Sequence, residues 1–204
     1  MVGHCDGGWR RSRFGDQKVV PPLAMSNTTS HYTHTAQVFH WLIAVLVLAA
    51  FVMGPGGSET SVYSQAREFE RQVHSLLGML VFGLSVLRLL WRLGHRRPTS
   101  APMPAWMLRA ATWGHRALYV LLFAVPLTAI SGAWLEGHSV GLLLGLEFAP
   151  QLALDRGWGA WVSELHTWLG DAMLWLAGLH AAAAIYHHYV RKDGTLLSMM
   201  PCHS

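Results

Sequence analysis

The sequence predicts an all-α integral membrane protein, a four-helix bundle with both termini on the cytoplasmic side. Three observations carry that prediction: the composition, four long apolar stretches, and the uneven placement of basic residues between them. Of 204 residues, 52% are hydrophobic and 13% are charged, about half the charged share of an ordinary soluble domain. Such a chain is too apolar and too aromatic to be disordered. Its two cysteines, Cys5 and Cys202, stand at opposite ends and form no disulfide framework. The net charge of +4 raises nucleic acid as a partner, but no stripe of basic and aromatic residues is present to read one.

A bilayer crossing takes about 20 mostly apolar residues. Span one, residues 36–53, has His40 as its ionisable residue. Span two, 73–91, carries His74 at its start and Arg88 near its end. Span three, 113–134, opens on His115 and Arg116 and contains Pro126, which kinks a membrane helix without breaking it. Span four, 161–189, is longer than a bilayer requires and contains His166, Asp171, His180, His187 and His188. Trp91, Trp113, Trp134 and Trp161 fall at span ends, where indole rings favour the interface.

The connecting segments set the orientation. Arg92, Arg96, Arg97 and Arg109 lie between spans two and three without an acid, and Arg191 and Lys192 follow span four. The other two connections mix Arg67, Arg71 and Arg156 with Glu59, Glu68, Glu70, Glu136, Glu147 and Asp155. The basic side is cytoplasmic by the positive-inside rule. Residues 1–24 contain Arg10, Arg11 and Arg13 but no apolar core of signal-peptide length. They read as a disordered extension or a misassigned start ahead of Met25, with 25–204 as the membrane domain. The Pro-rich run 98–104 reads as an irregular connector.

Ionisable groups at membrane depth are costly and therefore suggest function. His166 and His180 are fourteen residues apart, roughly 40° short of four full turns and about 21 Å along the axis. They share a helix face at two depths, His166 outer and His180 inner. Span one starts inside, so His40 is level with His180; span two starts outside, so His74 is level with His166. Two pairs at two depths, His40 with His180 and His74 with His166, suit two stacked six-coordinate haems. A buried ring bonded to a backbone carbonyl is the plainer reading of any one of them, and a histidine-lined metal channel is another. Zinc would prefer one compact tetrahedral cluster. No C-x-x-C-H occurs, so any haem is b-type and non-covalent.

Other polar residues fit around this set. His187, seven residues beyond His180, lies on nearly the same face toward the cytoplasm, where its ring could hydrogen-bond a ligand or deliver a proton; His188 reads as an interfacial residue. His115 is a candidate haem-propionate contact or a substitute inner ligand. Arg88 and Arg116 are candidate propionate partners, with snorkelling to headgroups as the alternative. Arg67 and Arg71 would attract an anion on the outer side, although neighbouring glutamates weaken that field. Asp171 is a candidate acceptor near His166, and His31, His34, His95, His138 and His203 read as surface residues.

The run LHTWLGDAMLWLAGLHAAAAIYHHYVRKDGTLLSMMP (165–201), with FHWL (39–42), VHSLLG (73–78) and GHRALYVLLFAVP (114–126), resembles the bacterial cytochrome b561 family. The resemblance extends over about 32–201, all four spans. It implies axial haem ligands at His40, His74, His166 and His180, two b-type haems, and a place in the bacterial inner membrane. Members similar along the whole core are superoxide oxidases, which pass electrons from periplasmic superoxide to ubiquinone. That implies an oxidoreductase whose chemistry is carried by haem iron, with a quinone role for His187 and a candidate quinone contact at His115. The alternative is a haem-bearing membrane subunit of a dehydrogenase or hydrogenase complex.

Overall fold

The computed structural model describes residues 32–54, 62–95 and 103–200. Residues 1–24, Arg96, Arg97, His31, His203 and most of the 98–104 connector lie outside them. Four long helices dominate: α1 (His34–Val52), α2 (Glu68–Gly94), α3 (Ala105–Leu135) and α4 (Arg156–Tyr186). All four are long and apolar enough to cross a membrane. All four helices start ahead of the predicted spans because their capping signals lie outside the apolar stretches. Thr33 caps α1 by accepting from the Ala36 N–H, and Asp155 caps α4 by accepting from the Trp158 N–H. Glu68 and Glu70 occupy the first turn of α2 and Arg92 its last, each matching the helix dipole. Pro104 precedes the first residue of α3.

One departure from an all-α chain appears between α3 and α4. There β1 (Val140–Gly141) and β2 (Glu147–Phe148) pair antiparallel, with Val140 opposite Phe148. A second departure ends α4, which runs into a π-helical turn over His187–Arg191 and stops at Lys192 in the left-handed region, φ 52°.

In the bundle α1 packs chiefly on α2 and α3 on α4. Small residues set the second contact, as in membrane helix pairs generally. Gly132 of α3 lies against Ser163, and Gly159 of α4 lies against Glu136. The buried apolar cluster takes one residue from each helix: Ile43, Val81, Leu122 and Met173. Met173 is seven residues from both His166 and His180, so this layer is a waist between the two histidine levels. Large apolar side chains such as Val45, Leu48, Leu90, Val120 and Leu179 point outward, the arrangement that hydrocarbon solvent permits.

The end that carries His40 and His180, here the inner end, is closed by residues 198–200. Gln37, 5% exposed, donates from Nε2 to the carbonyls of Ser198 and Met200 at 3.2 and 3.1 Å. Trp41 Nε1 donates to the Met199 carbonyl at 2.9 Å, and the Tyr32 N–H donates to the Ser198 carbonyl at 3.1 Å. Residues 198–200 thus form a strap across the start of α1.

Candidate functional site

Two histidine pairs stand on either side of the apolar waist. At the outer level the rings of His74 and His166 have centroids 6.0 Å apart and an interplanar angle of 84°. At the inner level His40 and His180 are 6.2 Å apart at 85°. Helix period places them there: α4 supplies one ring to each level, while α1 and α2 run in opposite directions and supply one each.

The outer pair is fixed from behind. His74 Nδ1 is 2.8 Å from the Ala50 carbonyl and His166 Nδ1 is 2.9 Å from the Val125 carbonyl. A carbonyl only accepts, so each ring carries its proton on Nδ1 and keeps the Nε2 lone pair for a metal. Val125 precedes Pro126, the proline inside α3, which removes a bond from the helix ladder and loosens the local backbone. The carbonyl bonds that make the plainer reading of these histidines are therefore also what a ligand pair requires.

The spacing suits a shared iron. Two metal–imidazole bonds of about 2 Å, plus the distance from each nitrogen to its ring centre, sum to about 6 Å. Gly78 and Gly170 lie one turn inward of His74 and His166, and a Cβ added at either would meet no atom of the described residues within 4 Å. A broad flat group beside the pair would need that clearance. Toward the inner level Ser85 is fully buried, and its Oγ has no hydrogen-bond partner among the described residues. It follows His74 by eleven residues, so it shares that face about 16 Å further in, about one turn short of the inner histidines. The residues present thus fit b-type haem at both levels.

The other candidates separate. His115 lies 5.2 Å from His180 at 75°, with its Nδ1 on the Ala111 carbonyl at 2.5 Å. That distance fits direct ring contact better than a shared metal. The charge of Arg88 acts on both His40 and His180, and its guanidinium lies 5.7 Å from the Tyr119 ring centre. Arg116 is exposed and lies over Trp113 at 4.9 Å, the snorkelling arrangement rather than one facing the inner pair. Asp171 is exposed; five residues from His166, it is turned about 140° away, which removes it as an acceptor for that ring. His34 and His95 are exposed, His95 stacking on Trp91 at 4.0 Å.

His138 is a correction. Instead of lying free at the surface, its ring stacks on Tyr63 at 3.6 Å and 19°. The Tyr63 hydroxyl is hydrogen-bonded to Glu136, and burial together with that carboxylate pushes its pKa up to about 12. Ser163 Oγ also donates to Glu136, at 2.8 Å. Arg71 lies 5.4 Å from the Tyr63 ring centre, with its Nε buried and without a hydrogen-bond partner among the described residues. Arg71 and Ser163 each precede an outer histidine by three residues, so this cluster caps the outer pair from one turn above. Loop residues from two connections build it, and helix periodicity gave no signal for their meeting. At the opposite end His187 Nδ1 is 2.7 Å from Asp193 Oδ2, a contact the sequence reading also missed.

The chain is similar to known proteins along all four helices. The family described as prokaryotic cytochrome b561 matches residues 31–201. Cytochrome b561 homolog 2 of Escherichia coli (strain K12) is 30% identical over 181 residues, covering 87% of this chain and 95% of the relative. A probable superoxide oxidase of Yersinia pestis is 32% identical over 165 residues, covering 79% and 91%. Cytochrome b562 of Cereibacter sphaeroides is 27% identical over 175 residues, covering 83% and 94%.

Proposed function

Because the chain belongs to the prokaryotic cytochrome b561 family of membrane haem electron-transfer proteins, we propose that it is a superoxide oxidase that carries electrons from periplasmic superoxide to ubiquinone. The observation that carries this reading is the pair of histidine pairs, 6.0 and 6.2 Å between centroids, on either side of one apolar waist. Bis-imidazole haem iron supplies one-electron transfer when bound. His74 and His166 hold the outer group, His40 and His180 the inner one, and Arg88 offsets negative charge at the inner level. The similarity to a probable superoxide oxidase supports the choice of donor. Arg92 and Arg109, with Arg96 and Arg97, support a cytoplasmic inner end, and hence an inner-membrane protein with both termini inside.

The reaction balances with two superoxide anions. Each loses one electron and leaves as dioxygen, while one quinone takes up two electrons and two protons to become quinol. Protons are therefore needed at the inner end alone. His187, past His180 toward the cytoplasm, is the residue of α4 suited to give one or to hydrogen-bond the quinone oxygen. Mixing oxidised protein with superoxide should reduce the haem within the mixing experiment, and adding ubiquinone should reoxidise it. Absence of haem reduction by superoxide would move the chain to the alternative role, an electron-transfer subunit for a docked dehydrogenase or hydrogenase.

His187→Ala is expected to keep its haem and its reduction by superoxide while losing speed toward quinone. Leaving a buried carbonyl without its donor costs about 1–3 kcal/mol. That corresponds to a roughly five- to hundred-fold slower reoxidation if the loss falls on the transition state. Stopped-flow traces of the haem bands, with and without ubiquinone, measure it directly.

A further inference from the structure

We infer that Asp193 is the positioning residue of a proton-delivering pair with His187, an inference that rests on the quinone reading of His187 given above. In a continuous α-helix, residue 193 would be turned about 120° from residue 187, and the two side chains would not meet. The π-helical turn His187–Arg191 and the left-handed Lys192 reverse the chain and bring them together. A left-handed conformation is unfavourable for lysine and persists where its surroundings hold it. Here two bonds between the same two residues do so. The Asp193 N–H donates to the His187 carbonyl at 3.2 Å, and His187 Nδ1–H donates to Asp193 Oδ2 at 2.7 Å.

The pair is shielded, with the two side chains 13% and 15% exposed. Asp193 Oδ1 accepts from the Thr195 N–H at 3.1 Å, and Arg191 Nε lies 3.5 Å from Oδ2. The Tyr186 ring is edge-on to His187 at 6.1 Å. Burial alone would raise the Asp193 carboxyl, but the hydrogen bonds from Thr195 and His187 hold it below the ordinary carboxylate value. An anionic Asp193 therefore faces Nδ1 and fixes the tautomer. The exchangeable site is then Nε2, away from the carboxylate.

The step this allows is simple. As the quinone takes up electrons, the Nε2–H bond of protonated His187 breaks and an O–H bond forms on the quinone oxygen. His187 is left neutral, with Nδ1–H still held by Asp193, and Nε2 is protonated again from cytoplasmic water. Without the carboxylate the ring can turn or change tautomer, and the proton leaves from the wrong nitrogen. The arrangement makes π-turns informative, since such bulges recur at functional sites.

The test uses the full-length, haem-loaded protein and a short-chain ubiquinone. Asp193→Asn keeps an Oδ1 acceptor for Thr195 but no longer fixes the histidine tautomer. Haem content and reduction by superoxide should equal those of the unaltered protein. Reoxidation by the quinone should slow by up to about a hundred-fold, the low end of what a positioned proton donor contributes, at an unchanged half-saturating concentration. The deficit should widen toward alkaline pH, where protons from water no longer substitute, and Asp193→Glu should recover most of the rate. An unaltered rate and pH profile in Asp193→Asn, with His187→Ala slow, overturns the role of Asp193 alone. A deficit that is equal at every pH and not relieved by Asp193→Glu marks Asp193 as structural and likewise overturns it. Unaltered quinone kinetics in His187→Ala overturns the quinone reading and this inference together.

Discussion

His166→Ala is expected to remove one of two haems and to stop reduction of the remaining one by superoxide. The ring faces His74 across 6.0 Å and is held by the Val125 carbonyl, so the change deletes a proposed haem ligand and orphans a partly buried acceptor. Loss of a partner that merely orients a ligand costs 10–100-fold in metal affinity; loss of the ligand should exceed about a hundred-fold. Extraction with acid acetone should give two haems per chain before the substitution and one after it. His40→Ala should produce the converse, keeping the outer haem and its reaction with superoxide. If His115→Ala removes a haem and His40→Ala does not, the inner pairing is wrong despite the 5.2 Å contact being the shorter one.

The second large effect belongs to a residue with no chemistry. In Gly159→Val, the added Cβ would lie 2.7 Å from Glu136 Cγ, 2.9 Å from Glu136 N and 3.1 Å from the Leu135 carbonyl carbon. The last two are backbone and can yield only if the end of α3 moves away from α4. Overpacking of that kind costs about 1–3 kcal/mol. It would also draw Glu136 from Ser163 and Tyr63, loosening the cap over the outer pair. The temperature at which haem dissociates in detergent should fall clearly. Gly83→Ala, where no atom of the described residues lies within 4 Å, is the control and should leave it unchanged. Equal behaviour of the two variants would show that α3 and α4 have slack at this contact.

What the sequence disclosed was whatever a regular helix repeats. Fourteen residues between His166 and His180 translate directly into one face and two depths, and alternating span direction then selects His74 and His40. The ends of the spans were less legible. Predicted span three starts at 113, yet α3 begins at Ala105, because the signal for its start is Pro104 rather than hydropathy. Least legible were contacts made where the helix repeat fails. His138 meets Tyr63 only because two loops fold over the same helix ends, and Asp193 meets His187 only through a π turn. Asp171 shows the reverse error: closeness in sequence suggested a partner that helical rotation carries to the opposite side.

The strap over α1 has a consequence in time. The Gln37 side chain and its acceptors are 161 and 163 residues apart, and Trp41 is 158 residues from its own. At ribosomal elongation rates the first span therefore waits roughly 8–30 s for the atoms that complete it. During that interval its buried amide must bond to water or lipid headgroups. A nascent chain can hold all four histidines in the membrane while its first helix is still unanchored. Anchoring arrives with Ser198, Met199 and Met200, so the first span settles only after these residues have been made.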